Sequence, residues 1–318
     1  MWTAGCATAS VIGTNRTARR SSRWGLDIIA GMTNRFGYLL WALRKTLLGG
    51  TGENSCPSCG ASNDRLVRRK YVVTALRECR ECGLRFRTPK DDPDAAQSFY
   101  TDEIYKQGFT TDLPSDAELQ AMITHRFAGT EKDFVYRIEA LVAAGLKTPA
   151  RILDYGCSWG YGSWQMRQAG FDVFSYEIGR QRARYATEKL QCVMVDDLRA
   201  VDGTMDCFFS SHVMEHLANP RSMFDAAEKA LRPGGLFVCY APNGAVEREK
   251  KDFRAYHQNW GKVHPLMLTP QFLKGEAIRR GYARYGVFSC PVQGCDIEAL
   301  REGNFEGDEL LMIGRVTH

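Results

Sequence analysis

Four cysteines near the amino terminus have the spacing of a metal site. They form two Cys-x-x-Cys pairs, Cys56 with Cys59 and Cys79 with Cys82, and nineteen residues separate the pairs. Each pair places two thiolates on one tight turn, so the two turns together can surround a tetrahedral Zn²⁺ ion. With four protein ligands such an ion has no open coordination position, which predicts a structural role for the zinc. The alternative is four free or disulfide-linked cysteines.

A second set of residues has the chemistry of a nucleotide-like site. The run Arg151–Gly162 leads from an apolar stretch into Asp154 and then into a turn that contains Gly156 and Gly160. Glycines let the backbone approach a ligand closely, and the helix that follows begins with its amide groups exposed. A second apolar run, Phe171–Glu177, ends in a carboxylate placed to accept hydrogen bonds from ribose hydroxyls. The two runs together predict a bound nucleotide-like cofactor.

These motifs resemble those of a known family, the class I S-adenosylmethionine-dependent methyltransferases, over roughly residues 150–318. The first motif of that family is D-x-G-x-G-x-G, and here it stands as Asp154, Gly156, Ser158 and Gly160. Ser158 replaces the middle glycine, and we expect it to fill a turn position with negative φ. Two further motifs of the family are present, E-H-x-x-x-P from Glu215 to Pro220 and the turn Arg232–Gly235.

The resemblance implies S-adenosylmethionine as the cofactor and a place for each of its parts. Glu177 would bind the ribose, and His212 would lie beside the methionine half. Asp196, with Asp197 as second choice, would accept a hydrogen bond from the adenine amine, although either carboxylate could instead cap a helix. The predicted cofactor-binding residues are therefore Asp154, Gly156, Ser158, Gly160, Glu177, Asp196, Asp197 and His212.

Two histidines are candidates for a general base. They lie in residues 242–270, a segment that shapes the acceptor site in small-molecule members of the family. Methyl transfer to a hydroxyl needs removal of its proton, and a neutral imidazole near pH 7 suits that task. His264 is the first candidate and His257 the second. The alternative is that both are ordinary polar loop residues and that alignment of acceptor, methyl and sulfur supplies the rate.

Strand and helix patterns alternate after residue 150, which predicts an α/β fold: a Rossmann-like, seven-stranded methyltransferase sheet preceded by a small Cys₄ zinc ribbon. The predicted strands are Arg151–Tyr155, a strand ending at Glu177, Cys192–Val195, Met205–Ser211, Leu236–Tyr240, Tyr285–Ser289 and Leu310–Val316. The predicted helices are Glu118–Phe127, Lys132–Leu146, Tyr161–Gln168, Arg180–Lys189, Arg221–Leu231 and Thr269–Gly281, the last capped by Thr269.

The chain divides into four predicted segments. They are a leader with a possible interfacial helix (1–50), the zinc ribbon (51–88), a linker and helical cap (89–148) and the methyltransferase domain (149–318). The apolar, aromatic and basic run at 34–48 is typical of a helix in a membrane interface, or of one packed on the protein's own core. The aromatic run Ser98–Tyr105 resembles a segment that folds over the cofactor cleft in bacterial methyltransferases with a zinc ribbon.

Composition limits the partners and the compartment. The 318 residues carry a formal net charge of +5, which is not a nucleic-acid signature, although the basic ribbon leaves RNA as an alternative partner. The sequence shows no run of about eighteen uncharged apolar residues, so no spanning helix is expected. Eleven cysteines without a secretory signal indicate a reducing compartment. We expect a cytoplasmic protein, which would contact the inner face of the membrane peripherally if residues 34–48 form an interfacial helix.

These observations predict an enzyme that transfers a methyl group from S-adenosylmethionine to an oxygen of a small molecule or of a sugar or glycan intermediate. One alternative is an RNA methyltransferase that binds RNA with its zinc ribbon. Another is a non-catalytic, cofactor-binding scaffold.

Overall fold

The computed structural model describes Leu40 and residues 55–70, 74–90, 112–261, 263–290 and 303–317. All of these after Leu40 belong to one unit, Ala42–His318. The leader, the predicted interfacial helix apart from Leu40, and the aromatic run Ser98–Tyr105 lie outside the described residues. None of the described helices is long and apolar enough to cross a membrane.

Strands and helices alternate through most of the described chain. The strands are β1 (Asp64–Lys70), β2 (Thr74–Cys79), β3 (Arg85–Thr88), β4 (Arg151–Tyr155), β5 (Asp172–Tyr176), β6 (Val193–Met194), β7 (Met205–Ser211), β8 (Leu231–Pro242), β9 (Leu266–Met267), β10 (Arg284–Cys290) and β11 (Glu309–Arg315). The α-helices are α1 (Asp116–Thr124), α2 (Val135–Ala143), α3 (Tyr161–Gln168), α4 (Arg180–Leu190), α5 (Arg221–Ala230), α6 (Val246–Lys251), α7 (Phe253–Asn259) and α8 (Pro270–Arg279). Short 3₁₀ turns cover Leu198–Val201 and Met214–His216.

Seven of the described strands form the central sheet, in the order β10-β11-β8-β7-β4-β5-β6. Strands β4 to β8 run parallel to their neighbours in this group, whereas β11 is antiparallel to both β8 and β10. The carboxyl ends of the parallel strands and the start of β11 therefore lie at one edge, because Glu309 pairs with Pro242. This order confirms the predicted fold class.

The sheet is buried on both faces, as expected for apolar parallel strands. Leu153, Phe208 and Phe237 pack on one face. Their neighbours in sequence, Ile152, Phe209 and Val238, pack on the other face. Alternate residues of each central strand thus pack into the two cores on opposite faces of the sheet. Because a shift by one residue would exchange the two faces, this packing fixes the register of the strands.

Most predicted elements are observed, with differences at their ends. Helix α3 has the predicted bounds, and α8 is capped as predicted, with the Thr269 hydroxyl accepting from the Phe272 amide at 3.1 Å. Strand β8 begins earlier than predicted, and Arg232–Gly235 forms a bulge within it where the pairing with β7 shifts. Helix α1 ends earlier than predicted, because Arg126 and Phe127 have positive φ.

The ribbon strands pair with the segment that follows β8. Strands β1, β2, β3 and β9 form one four-stranded antiparallel sheet, and β9 belongs to the predicted acceptor segment. The Arg87 amide donates to the Pro265 carbonyl at 2.8 Å. Leu76 of the ribbon packs with Tyr256 and Trp260. The ribbon is therefore built onto the catalytic unit and fixes the backbone just after His264.

A buried arginine also joins the ribbon to this segment. Arg85 is 2% exposed, and its guanidinium donates to Glu78 at 2.7 Å, to Glu249 at 3.2 Å and to the Tyr256 hydroxyl at 2.6 Å. Other ribbon arginines are paired as well: Arg65 with Glu78, Arg68 with Glu249 and Arg77 with Asp64. Several of the basic residues of the ribbon therefore form ion pairs with carboxylates.

Replacement of Arg85 should weaken the whole protein. Arg85→Met leaves the buried carboxylate of Glu249 with one cation fewer, so we expect the free energy of unfolding to fall by about 3 kcal/mol. Arg65→Met is the control, because its side chain is 52% exposed and a surface ion pair contributes about 1 kcal/mol or less. Urea denaturation of both variants measures the difference, and equal losses would contradict this description of the interface.

Candidate cofactor and acceptor site

The four ribbon cysteines lie close together. Their sulfur atoms are all within 4.8 Å of one another, at 3.6 Å for Cys56 with Cys82 and 3.5 Å for Cys59 with Cys79. None of the four forms a disulfide bond. Four sulfurs about a tetrahedral Zn²⁺ ion would be separated by roughly 3.8 Å, given Zn–S bonds of about 2.3 Å. The four predicted ligands are therefore brought together in a form that suits such an ion.

The turn between β4 and α3 requires glycine at two positions. Gly156 has a φ of +83°, and a Cβ atom there would lie 2.4 Å from Val213 Cγ2. Gly160 has a φ of +88°, and a Cβ atom there would lie 2.7 Å from Cys192 Sγ. The first glycine brings the turn against the segment after β7, and the second brings α3 against the start of β6.

Asp154, the next-to-last residue of β4, is a buried acid. It is 3% exposed, and one of its oxygens accepts from the Ser163 hydroxyl at 2.6 Å. Burial raises the pKa of Asp154 to about 7. Through Ser163, its carboxyl group links the end of β4 to the first turn of α3.

Ser158 does not have the negative φ that we expected. Its φ is +53°, in the left-handed region, because its amide donates to the Glu177 carboxylate at 3.1 Å and holds the turn in that form. A non-glycine residue there costs about 1 kcal/mol. The Ser158 hydroxyl is buried and has no hydrogen-bond partner among the described residues. An unpaired hydroxyl in this turn fits a ligand that supplies the missing partner.

Glu177 lies beside the turn, one residue after the end of β5, where the sequence predicted the last residue of the strand. One oxygen accepts from the Gly179 amide at 2.6 Å and from Arg182 at 2.8 Å, and the other accepts from Ser158. A carboxylate has about four acceptor positions, so it retains capacity for a ribose hydroxyl.

The two aspartates after β6 differ in their surroundings. Asp197 caps the 3₁₀ turn, accepting from the Arg199 amide at 3.0 Å, and also forms an ion pair with the Arg199 guanidinium at 2.6 Å. Asp197 is thus engaged as a cap, the alternative that the sequence left open. Asp196 is exposed at the carboxyl edge and stays the first prediction for the adenine amine.

Buried charges line the carboxyl edge beside the cofactor turn. Arg137 of α2 donates to Glu309 at 3.1 Å and lies over the Tyr240 ring at 4.2 Å. Glu309 is bonded to Nε2 of His212 at 2.5 Å, and Nδ1 of His212 lies 3.4 Å from Glu215. Although desolvation opposes the charge on His212, the carboxylates of Glu309 and Glu215 raise its pKa to about 9. Charges from three distant segments therefore alternate in sign along this edge.

The row of charged side chains continues from His212 to Glu215, and from there to His216 and His264. Glu215 is fully buried, yet its neighbours His216 and His212 lower its pKa to about 2 against the effect of burial. Nε2 of His216 lies 3.7 Å from Glu215, and the rings of His216 and His264 are 4.8 Å apart. Burial and the adjacent His216 lower the pKa of His264 to about 4. His264 thus lies in the site as a neutral imidazole.

His257, the second base candidate, lies apart from this cluster. It belongs to α7, where its ring stacks on Phe253 at 5.4 Å and meets Trp260 edge-on at 5.4 Å. Desolvation and the cations Lys70 and Arg68 of the ribbon lower its pKa. Its surroundings are therefore those of the interface between the ribbon and the acceptor segment.

Comparison with known proteins identifies the family of this fold and site. Residues 127–286, half of the chain, match the family model described as a methyltransferase domain. The chain belongs to this methyltransferase family. The assignment confirms the predicted class I S-adenosylmethionine-dependent methyltransferase and shows that the protein is an enzyme.

Relatives of this methyltransferase act on different acceptors. It is 31% identical over 112 residues to the ubiquinone biosynthesis O-methyltransferase of Cereibacter sphaeroides, covering 32% of this chain and 44% of the relative. It is 29% identical over 99 residues to the tRNA U34 carboxymethyltransferase of Trichlorobacter lovleyi, covering 28% and 31%. The matches span less than half of each relative. A solved S-adenosylmethionine-dependent methyltransferase from Archaeoglobus fulgidus is 17% identical with a TM-score of 0.45, covering 62% of this chain and 99% of that one.

Two residues at this edge of the methyltransferase, Arg137 and Glu309, are not among those predicted from its sequence. Both are charged residues in mostly apolar elements, and both are almost fully buried. A charge in the apolar start of the last strand was the available signal, because such residues are rarely buried without a partner.

The Asp154 carboxyl makes the stability of the cofactor-free methyltransferase depend on pH. Between the ordinary aspartate pKa near 4 and about 7, the folded protein keeps a proton that the unfolded chain has released, so stability falls as pH rises through this window. Asp154→Asn keeps an acceptor for Ser163 and removes the titration. We expect the fall in unfolding free energy from pH 5 to pH 8 to be smaller in this variant by about 1 kcal/mol or more. Urea denaturation at both pH values measures it.

Asp172→Asn is the control for that measurement, since the Asp172 side chain is 54% exposed. Equal pH dependence in Asp154→Asn and the wild type would contradict the assignment of the titration to Asp154.

Proposed function

We propose that this methyltransferase transfers a methyl group to an oxygen of a small molecule or of a sugar or glycan intermediate, and that a structural Zn²⁺ ion fills the four-cysteine site. The observation that carries the proposal is the contact between the cofactor turn and the acceptor side. Gly156 lies so close to Val213 that no side chain fits between them, and Val213 stands between His212 and Glu215. The polar cluster therefore lies next to the turn that would hold the cofactor, which supports a role for the cluster on the acceptor side.

S-adenosylmethionine supplies a methyl group bound to a positively charged sulfur. When bound, it would give this methyl group to an acceptor oxygen, whose lone pair would form the C–O bond while the C–S electron pair stayed on sulfur. The hydroxyl proton must leave as the oxygen attacks. The residues that would hold the adenosine are those of the turn and its neighbours, with the Ser158 hydroxyl and Glu177 as hydrogen-bonding groups and Asp196 at the adenine.

His264 is the proposed group for handling the proton. Its Nδ1 contacts the Asn259 carbonyl at 2.7 Å, and because a carbonyl only accepts, this nitrogen carries the hydrogen. Nε2 is then the nitrogen with the lone pair. His257 is the second candidate, with its ring packed at the ribbon interface.

The zinc ribbon supports His264 through the backbone. Strand β3 pairs with β9, and the Arg87 amide bonds to Pro265, the residue after His264. Loss of zinc would therefore disturb the position of His264 as well as the ribbon.

An oxygen acceptor is supported by the O-methyltransferase among the relatives. The pairing of ribbon arginines with carboxylates gives no support to RNA as the acceptor, although another relative acts on tRNA. Peripheral membrane contact through residues 34–48 and a cytoplasmic location both stay predictions.

The test follows the methyl group. The zinc-loaded protein is first titrated with S-adenosylhomocysteine by calorimetry, and is then incubated with methyl-tritiated cofactor and separate small-molecule, glycan and RNA fractions of a cell extract. We expect binding of S-adenosylhomocysteine and label in the small-molecule or glycan fraction. Label in RNA alone would overturn the acceptor class, and absence of binding would overturn the cofactor site.

The His264→Ala variant tests the role of the cluster with whichever fraction accepts label. We expect a loss of turnover of about a hundredfold or more, with the affinity for S-adenosylhomocysteine unchanged within about threefold. His125→Ala is the matched control, because His125 is exposed beyond the end of α1. Near-normal turnover in His264→Ala would remove this residue from the mechanism.

A further inference from the structure

Glu215, His216 and His264 present a set of donors that binds metal ions. One donor atom from each lies within 4.8 Å of the other two. Two imidazoles and one carboxylate are a common ligand set for Zn²⁺ at sites that keep a fourth position open, and they also suit other divalent transition metals. Donors about such an ion are roughly 3.3 Å apart, given bonds of about 2.0–2.1 Å, so side-chain movements of about 1 Å would close the site.

The Glu215 carboxylate is the first sign that the cluster is made for a ligand. Its side chain is fully buried, and neither oxygen has a hydrogen-bond partner among the described residues. The nearest nitrogens, of His212 and His216, lie 3.4 and 3.7 Å from Oε1. These histidines supply nearby charge but no hydrogen bond, so both oxygens of this buried carboxylate keep room for a metal cation.

The orientation of the two imidazoles is the second sign. Nδ1 of His216 contacts the Val263 carbonyl at 2.8 Å, and Nδ1 of His264 contacts the Asn259 carbonyl at 2.7 Å. Each Nδ1 must therefore carry the hydrogen, which leaves the lone pair on Nε2 of both rings. A backbone carbonyl that fixes the tautomer in this way is the usual outer partner of a metal-bound histidine.

The geometry points to a second metal site in this protein, in which Glu215, His216 and His264 bind one divalent transition-metal ion of the zinc type. The site is distinct from the four-cysteine cluster in both its ligands and its place in the fold. It lies on the acceptor side, in the 3₁₀ turn after β7 and the segment before β9.

The role of the ion rests on the proposed function. An ion with three protein ligands keeps a position open, and its charge lowers the pKa of a hydroxyl group brought beside it. His264 would then act on the acceptor through the ion rather than as a base. The alternative is that Glu215 serves only as the ion-pair partner of His212.

Cobalt is the probe, because Co²⁺ reports its ligands by visible absorption. The full-length protein is first loaded with one equivalent of Zn²⁺, which the four cysteines take up, and is then titrated with Co²⁺. We expect one further equivalent to bind, with absorption bands of nitrogen and oxygen ligation and no thiolate-to-cobalt charge-transfer band. No saturable binding, or a thiolate band that accounts for all bound cobalt, would overturn the proposal.

Two variants locate the ion. Glu215→Gln keeps the size of the side chain and removes its charge, and His264→Gln removes a partly exposed ligand. Each should weaken Co²⁺ binding by about a hundredfold or more, since one of three ligands is lost. His125→Gln, which replaces an exposed histidine outside the cluster, should bind Co²⁺ like the wild type. Unchanged Co²⁺ affinity in both cluster variants would overturn the site.

Calorimetry with S-adenosylhomocysteine separates this proposal from the proposed function. A variant that binds S-adenosylhomocysteine normally is folded, so its loss of Co²⁺ belongs to the metal site. If Glu215→Gln does not bind S-adenosylhomocysteine, His264→Gln decides the question. Methyl transfer that is unaffected by Co²⁺ or by its removal would leave the metal site standing and remove only its catalytic role.

Discussion

Two buried carboxylates, Glu215 and Glu309, determine how side chains are arranged at the carboxyl edge of the sheet in this methyltransferase. Taking a carboxylate out of water costs several kcal/mol, and the cost is offset only if cations and hydrogen-bond donors surround it. Glu309 has Arg137 and His212 as partners, while Glu215 has His212 and His216 within 4 Å. Since these residues come from α2, from the end of β7 and from β11, the need to compensate the carboxylates ties three distant segments to one edge of the sheet.

The ribbon, from the amino-terminal part of the chain, contacts the segment that carries His264. Its strand β3 pairs with β9, and its buried Arg85 joins Glu249 and Tyr256 of the acceptor segment. The backbone that carries His264 is therefore held between the ribbon and the charged edge. This arrangement connects the four-cysteine cluster to the backbone that carries His264 through strands β3 and β9.

Local signals predicted the elements of the fold, and long-range contacts decided the details of the site. The bounds of α3 and the Thr269 cap of α8 follow from nearby residues, and the structure reproduces both. The φ of Ser158 follows from its bond to Glu177, which no local pattern contains. The approach of His264 to Glu215 likewise depends on the pairing of β9 with the ribbon. Sequence patterns identify such residues as candidates but do not show which of them are in contact in the folded protein.

A double-mutant cycle on Arg137 and Glu309 tests most directly whether the buried charges organise the site. The free energy of unfolding is measured for Arg137→Met, Glu309→Gln and the double variant. Each single change removes one charge of a buried ion pair, so we predict that the double variant loses less than the sum of the two, with a coupling energy of about 2 kcal/mol or more. Additive losses would contradict it, because the two residues would then stabilise the protein independently.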